Sequence, residues 1–162
     1  MKRALAGLLL ALASGAPAAW ALSADEQMRF ADGIYLRGFY ETAVGEYLVL
    51  LRDFPDSEHV PAALYRTGEC YRQMGNQAGA ERFYKRVTAE FPDSSQVPRA
   101  ELRRAELAIA AGQHEAATAI LNALLMGKPS AETAAAASYY LGYSRLKAGD
   151  ARGAAAAYQR LL

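Results

Sequence analysis

The chain has 162 residues, 52% of them hydrophobic and 22% charged, which is enough apolar material for one ordinary folded domain. Its 18 Lys and Arg stand against 17 Asp and Glu, with no run of five or more like charges. That balance excludes the basic stripe of a nucleic-acid binder and a charged tail.

Lys2 and Arg3 precede an apolar run, residues 4–16, shorter than the roughly 20 residues a bilayer span requires. Pro17 interrupts it, and Ala19-Trp20-Ala21 has the small–x–small pattern of a cleavage site. Residues 1–21 are therefore expected to be an export signal cut after Ala21, with an uncleaved anchor as the alternative. No Cys lies near the cut, so a lipid-attached N-terminus is not expected. Cleavage leaves 16 basic against 17 acidic residues in a periplasmic chain. Its single cysteine, Cys70, has no internal disulfide partner.

Ala is frequent and strong strand formers are sparse, so helix is the expected element. Ser23 and Glu26 are spaced as a capping box that opens the first helix. Beyond it the sequence repeats at intervals of 37 residues. Gly38, Gly75, Gly112 and Gly149 are in register, as are Ala43, Ala80, Ala117 and Ala154, and Tyr47, Tyr84, Leu121 and Tyr158. Pro55, Pro92 and Pro129 follow the same ladder, and the phrase FPDS occurs at Phe54 and again at Phe91. The units are 24–60, 61–97, 98–134 and an incomplete 135–162.

Each unit reads as two helices. Leu64, Gly68 and Tyr71 share one helical face, and Ala80, Tyr84 and Val87 share another. Gly75 is placed at the turn between them, where left-handed backbone suits glycine. FPDS is the junction between pairs. Phe54 and Phe91 are expected in the core, Pro stops one helix, and Asp93, Ser94 or Ser95 caps the next. Pro61 and Pro98 suit the first turn of a helix. A lone hairpin cannot bury its apolar face, so the pairs must stack.

Chemistry-bearing motifs are missing. His59 and His114 have no metal-ligand spacing around them and read as solvent-facing. Cys70 reads as a packing residue. No catalytic residue, cofactor or metal site is read from the sequence.

The second unit, with Leu64, Thr67, Gly68, Tyr71, Ala80, Tyr84, Val87 and Pro92, resembles the tetratricopeptide repeat. The fourth (Ser138, Leu141, Gly142, Arg145, Ala154, Tyr158, Leu161) is similar. The first is looser, with Phe30, Ala31 and Ile34, and the third is weakest. The resemblance implies an all-α fold, a right-handed superhelical stack of antiparallel helix hairpins. The period exceeds the usual value of about 34. The further residues, around Glu58–Val60 and Ser95–Val97, are expected to lengthen the helix that follows. Long repeats with FPDS at the joint look like those of bacterial envelope proteins, namely the outer-membrane assembly lipoprotein and the Tol–Pal coordinator protein.

In that family the first helix of each pair lines a concave groove. The implied groove residues are Asp32, Tyr35, Tyr65, Glu69, Arg72, Arg99, Leu102, Glu106, Tyr139, Tyr143 and Lys147. Tyr65 and Tyr139 either meet a ligand or cover neighbouring helices. Arg66 and Arg103, one period apart, pair with Glu69 and Glu106 or form a basic stripe. The implied function is that of a non-enzymatic scaffold binding a segment of another envelope protein. Two alternatives stand beside it: the repeat portion of a larger secretion or envelope-assembly protein, and a homo-oligomer built through the last helix, where Leu161 and Leu162 are apolar.

Overall fold

The structure is a computed structural model that describes residues 22–161. The expected export signal and Leu162 lie outside the described residues. Among these, eight α-helices follow one another without a strand: α1 (Ala24–Leu36), α2 (Tyr40–Asp53), α3 (Val60–Gln73), α4 (Gln77–Glu90), α5 (Val97–Ala110), α6 (His114–Met126), α7 (Ala131–Lys147) and α8 (Ala151–Tyr158). A 3-10 turn, Gln159–Leu161, follows α8. The helices pair as hairpins α1–α2, α3–α4, α5–α6 and α7–α8, and each hairpin packs on the next. None of the described helices is long and apolar enough to cross a membrane.

The four hairpin turns are copies of one another. Gly38, Gly75, Gly112 and Gly149 all take positive φ, from 73° to 87°. Each donates its N–H to a carbonyl three residues back, and the next residue reaches five back, as Asn76 does to Tyr71 at 2.8 Å. That pattern satisfies carbonyls the helix end leaves open. Alanine at Gly75 is expected to cost about 1 kcal/mol, because the left-handed backbone disfavours a Cβ. Gly33 and Gly45 differ: they sit inside helices with open space where a Cβ would go. Alanine there is expected to stabilise by about 0.5–1 kcal/mol through helix propensity. Thermal melts of G33A, G45A and G75A check the opposite signs.

The joints come in two kinds. At the first two, Phe54 accepts from the Ser57 N–H and Ser57 from the Val60 N–H, and Phe91, Ser94 and Val97 repeat this. The serines do not cap the next helix as expected. Ser57 and Ser94 instead accept from the N–H of His59 and Gln96 at 3.2 Å, inside the turn. His59 and Gln96 are the N-caps, and neither side chain caps. Phe54 and Phe91 are only half-buried, packed against the core edge.

Of the further residues of the long period only Val60 and Val97 enter the helix, the others forming turns at these joints, and α3 and α5 have 14 residues each. At the third joint they do join the helix. α7 has 17 residues, capped by Ser130, and begins inside the span read as the third unit. Proline explains the difference. Pro61 and Pro98 lack an N–H and clash with the carbonyl four residues back, so the helix must start beside them. The register position in α7 is Ala135, which lets the helix begin earlier.

The core is built from the in-register residues. Ala43, Ala80, Ala117, Tyr47, Tyr84 and Leu121 are fully buried. One apolar cluster runs from Met28 to Ala100, and a second from Ala105 to Ala157, so α5 contributes to both. Phe30 departs from expectation. Its register partners Thr67 and Leu141 are fully buried, yet Phe30 is 51% exposed, because no hairpin precedes α1 among the described residues.

Cys70 is fully buried, in keeping with its reading as a packing residue, and burial pushes its thiol up to about 12. The thiolate is the reactive form. Native protein is therefore expected to resist thiol reagents at pH 8, and unfolded protein to react fully. Timed labelling with a chromogenic disulfide checks this.

Candidate protein-binding groove

The first helices of the hairpins, α1, α3, α5 and α7, carry a repeating polar unit. In the first hairpin the Tyr47 hydroxyl, on α2, donates to Asp32 on α1. Arg66, on α3, then approaches Asp32 at 3.5 Å and lies 5.1 Å from the centre of the Tyr35 ring. One period on, the Tyr84 hydroxyl donates to Glu69. Arg103 donates to Glu69 at 3.1 Å and to Glu106 at 2.8 Å. Each arginine thus bridges back to the acid of the preceding hairpin. Of the two sequence readings, a basic stripe or pairing with Glu69 and Glu106, the structure pairs Arg103 with Glu106 as expected and corrects the partner of Arg66 to Asp32.

Glu69 is the best satisfied of these groups. Arg72 adds a bond at 3.1 Å, and the Glu69 side chain is 6% exposed. Burial pushes its carboxyl up, but hydrogen bonds from Arg72 and Tyr84 and the charge of Arg103 outweigh it and hold it below its ordinary value. Burial works against the charge of Arg103 too, yet Glu69 and Glu106 hold its guanidinium more firmly protonated. In the third unit the pattern changes. Leu121 replaces the tyrosine, and Tyr140 stands in the arginine register beside Glu106.

A cavity of about 350 Å³ opens between α3, α5 and the start of α7. It gathers four of the expected groove residues: Tyr65, Glu69, Arg99 and Leu102. Tyr65 is 7% exposed and tilts against Tyr84, so it forms wall more than contact surface. Leu102 and Ala136 are apolar lining, and Arg99 is exposed with no ion pair among the described residues.

The other expected residues lie elsewhere. Asp32, Arg72 and Glu106 are committed to the internal ion pairs, and Tyr35 supports Arg66. Tyr139 is 52% exposed and sits edge-on to Tyr140. Tyr143 stands between His114 and Lys147. His114 is therefore half-buried against an aromatic ring, and His59 lies 2.6 Å from Asp25, so neither simply faces solvent. Ser130, Glu132, Thr133 and Ala136 also line the cavity and were not foreseen. Ser130, Glu132 and Thr133 belong to the cap and extra turn of α7. Ser130 accepting from the Thr133 N–H is the cap that announces it.

Two parts of the chain, residues 62–94 and 136–162, match the family model for the tetratricopeptide repeat. They correspond to the second and fourth hairpins. Among solved structures, MamA 41-end from Desulfovibrio magneticus RS-1 superposes with a TM-score of 0.70 at 21% identity, over 85% of this chain and 73% of that one. A tetratricopeptide repeat protein from Parabacteroides merdae ATCC 43184 superposes with a TM-score of 0.75 at 19% identity, over 86% of this chain and 52% of that one. No curated protein matches the sequence. The second and fourth hairpins therefore match the tetratricopeptide repeat, and the chain has that fold, the right-handed superhelical stack of helix hairpins.

Proposed function

We propose that this chain of tetratricopeptide repeats is an exported, non-enzymatic scaffold that holds a segment of another envelope protein in its concave groove. The observation that carries this is the cavity between α3, α5 and α7, whose floor is fixed by internal ion pairs while the exposed Arg99 and the part-buried Leu102 line its wall. A preformed site of that kind spends little on ordering. Export is supported by Lys2, Arg3, the apolar run and Ala19-Trp20-Ala21.

The test is cross-linking in an envelope extract with a Leu102→Asp/Ala136→Trp variant. Loss of the captured partner at an unchanged melting temperature supports the groove. Unchanged capture removes it. A second reading, self-association through the last hairpin, is favoured by the exposure of Tyr139, Leu146 and Leu161. Sedimentation equilibrium of a Leu146→Glu variant beside the parent decides it.

A further inference from the structure

We propose that the segment bound in the groove is acidic, an extended peptide whose carboxylates are held by Arg99 and Lys128 at the third joint. This rests on the groove reading above and names the chemistry of its ligand. The joint is where the repeat breaks. Lys128 stands in the register of Phe54 and Phe91, which pack against the core, and Ser130 stands where the other joints carry Asp56 and Asp93. An aromatic has become a cation and an acid has become a hydroxyl. The backbone has changed with it: φ is −131° at Phe54 and −135° at Phe91, but +52° at Lys128.

The break opens a second cavity of about 580 Å³. Its charged lining residues are Arg99 and Lys128, both cations, with no acid on its wall. Neither is in an ion pair among the described residues, whereas Arg66, Arg72, Arg103 and Arg104 all are. This cavity shares Arg99, Ser130 and Thr133 with the concave one. A chain running through both meets Arg99 midway and hydroxyls beside it, with Leu102, Ala136 and the acids Glu69 and Glu132 on the concave wall, so its carboxylates belong at the Arg99 and Lys128 end. Arg presents a planar donor fork that suits a carboxylate, and Lys adds a point charge.

The experiment uses a fluorescent octapeptide with two adjacent glutamates flanked by leucines, and its glutamine counterpart, titrated in low salt. The glutamate peptide is expected to bind at least about tenfold more tightly, the value of one charge-assisted hydrogen bond. An Arg99→Gln/Lys128→Asn variant is expected to erase that preference, with Asn chosen because it tolerates positive φ. Arg29→Gln, on α1, is the charge control and retains it. Equal binding of the two peptides, or a preference that survives the double variant, overturns the proposal. So does displacement of the glutamate peptide by equimolar inorganic phosphate. The envelope cross-link separates the two readings. Capture lost in Leu102→Asp/Ala136→Trp but kept in Arg99→Gln/Lys128→Asn leaves the groove standing and removes its acidic ligand. Capture kept in both removes the groove itself.

Discussion

Replacing Glu69 with alanine is expected to lower stability by about 3 kcal/mol, the low end for removing one partner of a buried ion pair. The low end applies because Arg72 and Arg103 are each 31% exposed and regain some water. Three groups lose their acceptor at once: the Tyr84 hydroxyl, Arg72 and Arg103. At this chain length the melting temperature is expected to fall by about 10 °C. Tyr84→Phe removes one bond from the same site and is expected to cost about 1 kcal/mol.

The same carboxylate sets an acid limb. Its folded value is held below the ordinary 4.5, so its contribution is complete above pH 4.5 and is lost as pH falls through the folded value. Glu69→Gln, which cannot titrate, is expected to flatten that limb in urea melts between pH 5 and pH 3. A limb of unchanged slope would show that Glu69 is not held by its neighbours.

Gly68→Ala is the second large effect. In an open helix the change stabilises by about 1 kcal/mol. Here the new Cβ falls 2.5 Å from the Tyr84 ring, which is fully buried and tied to Glu69 by its hydroxyl. The ring has nowhere to retreat, and overpacking of this sort costs about 1–3 kcal/mol. A net loss of about 2 kcal/mol is expected. Gly142 makes the matching approach to Tyr158, also at 2.5 Å, but that ring is partly exposed and can swing outward. Gly142→Ala is therefore expected to cost under about 1 kcal/mol. Chemical melts of the two variants should rank them in that order; equal stabilities would mean that the Tyr84 ring is free to move.

The hairpins were legible in the sequence because each rests on a local, repeated device. A glycine at a fixed interval makes the turn, and alanine and tyrosine at fixed offsets face inward. The joints were less legible. FPDS invites a serine cap, but the proline four residues after serine fixes where the helix starts, and the serine is left in the turn. The start of α7 was missed because the register was carried forward from joints with proline to one with Ala135. The groove was legible by face but not by partner. Spacing along one helix suggested Arg66 with Glu69, whereas stacking brought Asp32 of the preceding hairpin closer. The third unit was visible only as the weakest match to the repeat, which hides that Lys128 replaces an aromatic and Ser130 an acid.

The two apolar clusters meeting in α5 divide the molecule by firmness. The first contains Tyr47, Phe83 and Tyr84, while the fully or nearly fully buried members of the second are alanines and leucines. In a stacked array, neighbours hold one another, so the half with the thinner core opens locally at lower free energy. Amide protons of α6–α8 are expected to exchange with solvent before those of α2–α4. Both cavities are walled by α5 on the firm side and by the start of α7 on the loose one. A segment bound across them acts as a splint, and slowed exchange in α7 would register its arrival even before its identity is known.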